Sequence, residues 1–369
     1  MPVKVLICGG GVGGLASALA LKRNGFEVTV FERFEQLRTA GVGLNLWPNG
    51  VRVIQELGLG REFIEVANVV SYYRTLLSDG SMVSDEDVGS YIERFGAPVT
   101  GIFRRDLNEL LAQALGSAHI RFGHELTEVQ DSGDSVECRF TNGNCATGDF
   151  LVGADGVYSR VRTQLFGPAR FRTQHHVRWR GVFPIADAGL DPRVQLDVIG
   201  PDGHFGWVGI GKGMAYWYAA GDHLDDKESA LSHFRSWSNT PVPSVVAATP
   251  DETIIRSELT DFEQPLERWG MGRITLLGDA AHPMLPGIAQ GASQALEDAM
   301  ALAEAVGIQA DLEPGLRAYE KARIAKATQT VALSRALFEY DKKMDELGQI
   351  HGSPIIHRYV HAIENVQHV

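Results

Sequence analysis

The residues VLICGGGVGGLASALALKR, from Val5 to Arg23, admit two opposite interpretations, a secretory signal or the first strand, turn and helix of a nucleotide-binding fold. A signal peptide needs a basic start, an unbroken apolar run and a cleavage site between small residues. Here Lys4 alone forms the basic start, and glycines at positions 9, 10, 11, 13 and 14 interrupt the apolar run. The stretch therefore favours the nucleotide-binding fold.

The glycines follow a predicted buried strand, Val3–Cys8, and fit the pattern G-x-G-x-x-G. In this pattern the first glycine permits a tight turn, the second lets the backbone approach a pyrophosphate, and the third lets the next helix pack on the strand. The helix, predicted to end before Gly25, would direct the positive end of its dipole at the phosphates. The predicted phosphate cradle consists of Gly9, Gly11, Gly13 and Gly14.

A second predicted strand, EVTVFER, carries Glu32 about twenty residues beyond the glycines. A carboxylate at this position binds ribose hydroxyls and favours an unphosphorylated ribose, as in NAD or FAD. Arg33, beside Glu32, is assigned to the same predicted site. NAD and FAD both use this unit, so these residues predict a dinucleotide and leave the choice between the two open.

Composition limits the classes of protein to which the chain can belong. Its 369 residues are enough for two lobes, and 44% hydrophobic and 22% charged residues are typical of a globular protein. A net charge of −12 argues against binding nucleic acid or an anionic membrane surface. No segment has the length and apolarity of a membrane span, so the cytoplasm is the expected location.

The three cysteines show no spacing typical of metal ligands, and no metal site is predicted. Cys138 and Cys145 flank Asn142–Gly143, which predicts a two-residue hairpin turn. That turn would place Cys138 opposite Thr147 and Cys145 opposite Phe140. The two sulfurs would then be diagonal neighbours, poorly placed for a disulfide.

Two later segments indicate the cofactor. DFLVGADGVYSRVRTQLFG places Asp155 after a short apolar strand, and GRITLLGDAAHPMLPGIAQGASQALEDAMALA places Asp279 at the carboxyl end of another. Together with the glycine pattern, they resemble the three signatures of the class A flavoprotein monooxygenases, the para-hydroxybenzoate hydroxylase family. The branch with salicylate hydroxylases, urate hydroxylase and zeaxanthin epoxidase is most similar in GVGLNLWPNGVRVIQELGLG, IFRRDLNELL, RWRGVFP and PLERWGMGRITLLGDAAHPMLP.

The resemblance implies an α/β fold in which a Rossmann-like FAD-binding domain is interleaved with a mixed β-sheet substrate domain and followed by C-terminal helices. Strand alternation without glycine motifs, as in VRWRGVFPI and HFGWVGIGKGMAYWYAAG, indicates the second domain. The predicted FAD-binding domain comprises residues 1–70, 99–170 and 265–369, and the predicted substrate domain comprises residues 71–98 and 171–264.

The resemblance assigns several residues of the third signature to FAD. Asp279 matches an aspartate that accepts hydrogen bonds from the ribityl hydroxyls. A helix beginning near Gly291 and Ala292 would direct backbone N–H groups at the flavin ring and stabilise the negative charge of the reduced flavin. Pro286, which has no N–H, would shape the oxygen pocket with its carbonyl and ring.

Three further assignments have a structural alternative. Arg105, in FRRDLNELL, matches the FAD-contacting arginine of the family, and Arg38 is a candidate neighbour of the pyrophosphate or the ribityl chain. Either arginine is alternatively a surface salt-bridge residue. Asp155 matches the aspartate of the second signature, and its alternative role is that of a turn residue.

Substrate contacts are expected on the second domain. On a strand, Tyr216 and Tyr218 share one face and Trp217 takes the other, with one face toward the flavin. By resemblance, His204 and Tyr216 correspond to substrate-contacting polar groups of urate hydroxylase, where His204 replaces an arginine. A histidine or phenol there would take the proton of a phenolic substrate and raise the electron density of its ring. A core role is the alternative for such an aromatic.

Other basic residues have two interpretations each. His282, in GDAAHPM, is expected to be structural or to line the pocket. The arginines at positions 170, 172, 178 and 180 either receive the phosphates of NAD(P)H or form a basic face that balances the acidic run Ser84–Asp87. The basic face is the favoured interpretation.

The predicted function is that of an FAD-dependent monooxygenase that uses NADH or NADPH and O₂ to hydroxylate a small aromatic or heteroaromatic molecule, by resemblance through a flavin C4a-hydroperoxide. The cofactor carries the chemistry, while the protein binds, orients and excludes water. One alternative is a reductase or dehydrogenase of the same fold, whose product carries no atom from O₂. A second is a non-catalytic FAD-binding protein. The sequence leaves open the substrate, the choice of NADH or NADPH, and whether the protein is a monomer or a homodimer.

Overall fold

The computed structural model describes residues 2–37, 43–200, 203–221, 226–309 and 311–347. The strands in these ranges are, in chain order, β1 Lys4–Cys8, β2 Glu27–Phe31, β3 Gly43–Leu46, β4 Asn68–Val70, β5 Tyr72–Leu77, β6 Met82–Asp87, β7 Val99–Phe103, β8 Ile120–Arg121, β9 Leu126–Asp131, β10 Val136–Phe140, β11 Cys145–Gly148, β12 Phe150–Gly153, β13 Phe171–Pro184, β14 Val194–Gly200, β15 Gly203–Gly211, β16 Met214–Ala220, β17 Ile255–Phe262, β18 Gly270–Met271 and β19 Ile274–Leu276. The α-helices are α1 Val12–Arg23, α2 Pro48–Glu56, α3 Gly60–Val66, α4 Tyr91–Phe95, α5 Arg104–Leu115, α6 Arg160–Phe166, α7 Ile185–Ala188, α8 Lys227–Arg235, α9 Val242–Ala248, α10 Gly291–Ile308 and α11 Leu312–Leu347.

The first sheet is built around the N-terminal strand–turn–helix. Its strand order is β18-β19-β12-β1-β2-β8, and β1 pairs in parallel with both β2 and β12. Residues Val5–Cys8 of β1 are buried, because the sheet is covered on both faces. The helix α1 ends at Arg23, and Gly25 follows in a left-handed conformation with φ of +88°. The predicted strand and helix are therefore confirmed to within one or two residues at each end.

The second sheet has the strand order β17-β13-β16-β15-β14-β5-β6 and is mixed, since β14 and β5 are parallel while the other neighbours are antiparallel. Trp217 packs in a core cluster with residues of α8 and α9 on one face. Tyr216 packs on the opposite face, and its ring centroid lies 5.6 Å from that of Tyr218. The predicted alternation along β16 is confirmed.

A small sheet, β3-β7-β4, packs against the second sheet. Its strand β7 passes so close to β15 that a Cβ atom on Gly101 would lie 2.0 Å from the carbonyl oxygen of Gly209. Asn45 of β3 donates a buried hydrogen bond of 2.7 Å to Gln195 of β14. The strands of the second sheet all fall within residues 72–87 and 171–262, which supports the predicted division into two domains. That division stays a prediction.

The hairpin between β10 and β11 differs from its predicted register. Cys138 pairs with Ala146, and Arg139 pairs with Cys145, one residue away from the predicted partners. The reason is a longer turn, in which Gly143 adopts a φ of +82° and the N–H of Phe140 donates to the carbonyl of Asn144. Cys145 is exposed and Cys138 is buried, and both are free thiols.

The helices α10 and α11 complete the fold behind the first sheet. The helix α10 begins at Gly291, as expected from the sequence, and packs against both α1 and α11. Within the described residues, no helix combines the length and the apolarity that crossing a membrane requires.

Candidate functional site

Two glycines of the N-terminal loop are required by the packing of the protein itself. Gly9 has a φ of +111°, and a Cβ atom there would lie 2.2 Å from the carbonyl oxygen of Ala154. A Cβ atom on Gly14 would lie 1.9 Å from the carbonyl oxygen of Gly9. These two positions let β1, β12 and α1 meet closely, which is the role expected for the first and third glycines of the pattern.

Gly11 has a different environment, because a Cβ atom there would meet no atom within 4 Å. It is the N-cap residue of α1, and the structure shows no side-chain cap and no acidic residue in the first helical turn. The first N–H groups of α1 are thus open to a ligand, and a helix N-terminus of this kind attracts phosphate. The space and the donors fit a dinucleotide pyrophosphate.

Glu32 lies beside this loop, directly after β2. Its carboxylate is buried and accepts hydrogen bonds from the backbone N–H groups of Gly10, at 2.8 Å, and Phe34, at 3.1 Å. These bonds fix the carboxylate next to the glycine loop, where the ribose of a dinucleotide is expected. Arg33 is exposed, with its guanidinium carbon 4.8 Å from the centre of the Phe34 ring.

Asp279 lies in a 3₁₀ turn, Gly278–Ala280, that leaves the carboxyl end of β19. Gly278 has a φ of +61°, so the chain reverses sharply at this point. Asp279 is partly buried, and no described residue forms a hydrogen bond or an ion pair with its carboxylate. The carboxylate is therefore available to a ligand at the sheet edge where open α/β sheets bind their cofactors.

The N-terminus of α10 lies next to that of α1. A Cβ atom on Gly13 would lie 3.2 Å from the side chain of Ala295, so the first turn of α1 touches the second turn of α10. The N-cap residue of α10, Gln290, provides no side-chain cap, and the first turn with Gly291 and Ala292 has no acidic residue. Two uncapped helix N-termini thus converge at one edge of the first sheet, where both favour negative charge.

The segment Pro286–Ile288 forms a short 3₁₀ helix immediately before α10. Ala289 then adopts a φ of +50°, which is uncommon for a residue other than glycine, and its side chain packs against the core cluster that also contacts Tyr216. The chain that follows this segment therefore reaches the tyrosine-bearing face of the second sheet. Within the 3₁₀ helix, Pro286 is partly buried.

A buried charge network supports the two turns from behind. Asp298 of α10 accepts hydrogen bonds from the backbone N–H of Gly278 at 3.0 Å and from Arg323 Nε at 2.7 Å, and it lies 2.6 Å from His282 Nε2. Burial raises the pKa of Asp298, but the charges of His282 and Arg323 outweigh it and hold the pKa at about 2. His282 is therefore structural, one of its two predicted roles. Asp298 and Arg323 are not among the residues predicted from the sequence.

The network extends to the start of α10. Asn49 Nδ2 donates to Gln290 Oε1 at 2.9 Å, and Gln294 Nε2 donates to the same oxygen at 3.2 Å. Arg323 Nη2 donates to Gln294 Oε1 at 2.8 Å. Hydrogen-bonded side chains thus hold the N-terminal turn of α10 from the side away from solvent, which keeps its N–H groups in place.

Two of the remaining residues assigned to FAD have partners within the protein, and the third is outside the described residues. Asp155 accepts hydrogen bonds from the backbone N–H groups of Arg160, at 2.7 Å, and Val161, at 3.2 Å, and so caps the start of α6. Arg105 contacts the carboxylate of Asp106 at 3.2 Å. Both observations correspond to the structural alternatives, and the cofactor roles stay predictions. Arg38 lies outside the described residues.

Tyr216 lies on the face of the second sheet opposite Trp217, which we call the inner face. A Cβ atom on Gly43 would lie 2.0 Å from its ring, so β3 passes directly over the ring. Burial raises the pKa of Tyr216, and the charges of Arg180 and Arg178 lower it in part. Its hydroxyl is therefore neutral and can donate a hydrogen bond.

His204, on the same face, is linked to a buried carboxylate. Its Nε2 lies 3.1 Å from Asp197 Oδ1, to which the Tyr218 hydroxyl donates at 2.7 Å, and the Tyr73 hydroxyl donates to the second oxygen. Burial raises the pKa of Asp197, but the charge of His204 and the hydrogen bonds outweigh it and lower the pKa below its usual value. Asp197, which lies on the separate strand β14, is not among the residues predicted from the sequence.

The basic-face interpretation is wrong for two of the four arginines. Arg178 is 7% exposed, with its guanidinium carbon 5.7 Å from the centre of the Tyr218 ring, and Arg180 is partly buried on the same inner face. The acidic run has another partner, since Asp85 pairs with Arg74 at 2.9 Å. Alternation places residues 178 and 180 on one face, but it does not say that this face is the interior.

Comparison with known proteins places the chain among flavoproteins. Residues 2–334 match the family model described as FAD binding domain. The aurachin C monooxygenase/isomerase of Stigmatella aurantiaca is 34% identical over 335 residues, which cover 89% of this chain and 87% of that protein. The 3-hydroxybenzoate 6-hydroxylase 1 of Aquipseudomonas alcaligenes is 32% identical over 358 residues, which cover 90% of this chain and 87% of that protein.

A solved structure, Klebsiella pneumoniae HpxO complexed with FAD and uric acid, superposes with a TM-score of 0.86 at 25% sequence identity. The superposition covers 98% of this chain and 97% of that chain. The likeness thus extends over both sheets and the helices between them.

Proposed function

Since the chain belongs to the FAD-binding family of class A flavin monooxygenases, we propose that it uses NAD(P)H and O₂ to hydroxylate a small aromatic or heteroaromatic molecule. The observation that carries this proposal is the convergence of the uncapped N-termini of α1 and α10 at the carboxyl edge of the first sheet. FAD has two regions that carry negative charge, the pyrophosphate and the reduced ring. One helix N-terminus is available for each.

The residues at this edge fit FAD. The open space at Gly11 and the first N–H groups of α1 would hold the pyrophosphate, and Glu32 would bind the adenosine ribose. Asp279 would accept hydrogen bonds from the ribityl hydroxyls. The N–H groups of Gly291 and Ala292 would face the flavin ring, with Pro286 beside it. FAD, when bound, supplies the chemistry, accepting hydride from NAD(P)H and activating O₂ for transfer of one oxygen atom to an electron-rich ring.

The inner face of the second sheet would cover the substrate. Tyr216 lies on this face next to Val182 and Val208, and Ala289 packs against the same cluster. Apolar side chains on this face exclude water, and a dry site protects reactive oxygen chemistry from hydrolysis and strengthens each polar contact. A substrate ring between this face and the Pro286–Ile288 segment would present its edge to the cofactor.

His204 and Tyr216 are proposed to position the substrate and to hold its proton. Asp197 orients the imidazole of His204 through Nε2, so the ring cannot turn freely. The Tyr216 hydroxyl can donate to an oxygen of the substrate, and a bond of that kind fixes the ring relative to the flavin. The alternative of a reductase without oxygen insertion is less favoured, because the similar proteins are named as a monooxygenase and a hydroxylase.

The test is reconstitution with FAD followed by NADH and NADPH oxidation in air across a panel of phenols, benzoates and heteroaromatic compounds, with hydrogen peroxide measured in parallel. We expect a yellow protein whose NAD(P)H consumption rises with at least one compound, with little peroxide formed. Stimulation with complete conversion to peroxide identifies a ligand that is not the substrate. A protein that fails to bind FAD contradicts the proposal.

A further inference from the structure

Resting on the proposed function, we propose that Asn49 is a positioning residue for the flavin ring, which acts through Gln290 at the start of α10 and raises the reduction potential of bound FAD. Asn49 does not belong to any of the three sequence signatures, and it lies on a different helix, α2. Four observations support this role. They are the pairing of the two amides, the strained residue beside them, the packing of α2 on α10, and the charged residues that orient the Asn49 amide.

Asn49 and Gln290 form a reciprocal pair of buried amides. Asn49 Nδ2 donates to Gln290 Oε1 at 2.9 Å, and Gln290 Nε2 donates to Asn49 Oδ1 at 3.3 Å. Asn49 is 2% exposed and Gln290 is 1% exposed. Two hydrogen bonds of opposite direction fix both the position and the rotation of an amide group, and burial keeps water from competing for them. The side chain of Gln290 is therefore held from outside its own helix.

The orientation of Gln290 decides where α10 directs its first donors. Gln290 is the N-cap residue, and its carbonyl accepts a hydrogen bond of 2.8 Å from the backbone N–H of Gln294. Its side chain does not cap the helix, which leaves the first N–H groups of α10 available to a ligand. These donors stabilise a charge only if they are aimed at it before the charge develops. A shift of Gln290 would tilt them away from that direction.

The residue before Gln290 requires an anchor of this kind. Ala289 has a φ of +50°, in the left-handed region, where a residue with a Cβ atom is strained. Such a conformation persists only where the surrounding structure fixes it. The backbone N–H of Ala289 donates to the carbonyl of Pro286 at 3.0 Å, which closes the preceding turn, while the amide pair fixes the residue that follows. Without the pair the turn would relax, and the start of α10 would move with it.

Asn49 lies on a firmly packed element. It belongs to the first turn of α2, and a Cβ atom on the next residue, Gly50, would lie 2.5 Å from the hydroxyl oxygen of Ser293. The first turns of α2 and α10 are therefore in direct contact. Pro48 occupies the first position of α2, and its ring fixes φ at a value that suits a helix. The amide of Asn49 thus projects from a backbone that is rigid relative to α10.

Charged residues set the orientation of the Asn49 amide. Asn49 Nδ2 also donates to Glu297 Oε1 at 2.7 Å. The other oxygen of Glu297 accepts from Arg323 at 2.8 Å, and Lys326 Nζ lies 3.3 Å from it. Since a carboxylate only accepts hydrogen bonds, it must face the NH₂ group of Asn49, which leaves the amide oxygen for Gln290 Nε2. The network thus selects the one amide orientation that pairs with Gln290 in both directions.

The alternative is that the amide pair only stabilises the packing of α2 on α10. The two roles differ in their effect on FAD. A packing role would weaken the affinity for oxidised and reduced FAD equally, because the two forms have the same pyrophosphate, ribose and ribityl groups. A positioning role weakens the affinity for reduced FAD more, because the N–H groups of α10 stabilise the negative charge that reduction adds. That difference in affinity lowers the reduction potential.

The test is the reduction potential of bound FAD, measured by stepwise anaerobic reduction of the FAD-loaded protein beside a reference dye. In Asn49→Leu we expect reduced FAD to lose about tenfold more affinity than oxidised FAD, which lowers the potential of the two-electron couple by about 30 mV. Gln290→Leu should lower the potential by a similar amount. Asn24→Leu is the matched control, because Asn24 Nδ2 donates to the carbonyl of Ala303 at 2.9 Å, on the same helix but away from its N-terminus. This control should keep the potential of wild type.

The double variant distinguishes action through Gln290 from two independent effects. Asn49→Leu combined with Gln290→Leu should lower the potential no further than the larger of the two single changes. An additive shift, an equal shift in Asn24→Leu, or a wild-type potential in Asn49→Leu overturns the inference. If Asn49→Leu does not fold, Gln290→Leu decides, since a wild-type potential in that variant overturns the inference as well.

The measurement is independent of turnover. A wild-type protein that does not bind FAD contradicts the proposed function, on which the inference rests. A protein that binds FAD but shows the wild-type potential in both single variants contradicts the inference alone. A protein with the expected shifts that hydroxylates no compound contradicts the proposed monooxygenase activity and leaves the role of Asn49 intact.

Discussion

His282 and Asp298 are in direct contact in the protein interior, with His282 Nε2 2.6 Å from Asp298 Oδ2. The histidine belongs to the turn after β19, and the aspartate belongs to the second turn of α10. Arg323 of α11 contacts the other carboxylate oxygen at 2.7 Å. The carboxylate of Asp298 therefore connects three elements. They are the turn that carries Asp279, the helix α10, whose N-terminus lies at the candidate FAD site, and the helix α11.

Asp298→Asn should destabilise the protein strongly. The substitution keeps the shape of the side chain but leaves His282 and Arg323 without their common anion in a dry interior. We expect a loss of about 3 kcal/mol in the free energy of unfolding of the apoprotein, together with weaker FAD binding. Urea unfolding and a fluorescence titration with FAD measure the two effects. Glu304→Gln, at an exposed position of the same helix, is the control. Equal stability of both variants would show that the pair is not structural.

The contribution of Asp298 should depend on pH in a defined direction. Its pKa in the folded protein is about 2, below the value of about 3.9 in an unfolded chain, so the folded state favours the charged form. The resulting stabilisation, about 2 kcal/mol, is fully present above pH 4 and is lost as the pH falls toward about 2. The stability difference between wild type and Asp298→Asn should shrink over that interval. A difference that is constant with pH contradicts this account.

Gly11→Ala and Gly14→Ala should impair different properties of the protein. Gly11→Ala should weaken FAD binding, and Gly14→Ala should lower the stability of the apoprotein. At Gly11 an added methyl group meets open space, so the stability of the apoprotein should change by less than about 0.5 kcal/mol. The methyl group would enter the space assigned to the pyrophosphate, so we expect FAD to bind about tenfold or more weakly. At Gly14 the methyl group would lie 1.9 Å from a carbonyl oxygen of Gly9, and the apoprotein itself should be destabilised.

Thermal unfolding of both apoproteins measures their stability. FAD titrations of each variant that folds measure its affinity for the cofactor. If Gly11→Ala binds FAD as tightly as wild type, the pyrophosphate does not approach this residue.

Gly206→Ala should disturb the substrate face without affecting the FAD site. A Cβ atom there would lie 2.1 Å from Asp197 Oδ1 and 2.5 Å from the Tyr218 ring, where the two side chains are hydrogen-bonded. We expect a loss of about 1–3 kcal/mol of stability and weaker binding of aromatic ligands. The affinity for FAD should remain within about twofold of wild type and serves as the internal control. Unchanged ligand binding would place the substrate away from this cluster.

The spacing of residues close together in the sequence was sufficient to predict several elements of the fold and of the candidate FAD site. The glycine loop, Glu32 and the start of α10 at Gly291 could be located because each depends on the spacing of a few consecutive residues. The predicted register of the β10–β11 hairpin was wrong by one residue. Turns of two different lengths are compatible with the same Asn-Gly pair, and only the pairing of the whole strands selects one of them.

Contacts between distant segments could not be predicted in this way. Asp298 and Arg323 lie on two helices whose relative position depends on tertiary packing, so their pairing has no local signal. A charged residue among the alanines and leucines of α10 was the available hint, because a buried charge requires a partner. The inward orientation of Arg178 and Arg180 was missed for the same reason, since the second sheet is assembled from separate parts of the chain.

The most direct measurement is the fate of oxygen during turnover. The FAD-loaded protein is supplied with NADH or NADPH, the aromatic compound that most stimulates NAD(P)H oxidation, and ¹⁸O₂, and the product is analysed by mass spectrometry. We expect a hydroxylated product that carries one oxygen atom from ¹⁸O₂, formed in proportion to the NAD(P)H consumed. A product that contains no oxygen from ¹⁸O₂ would contradict the proposed monooxygenase function and identify a reductase or dehydrogenase of the same fold.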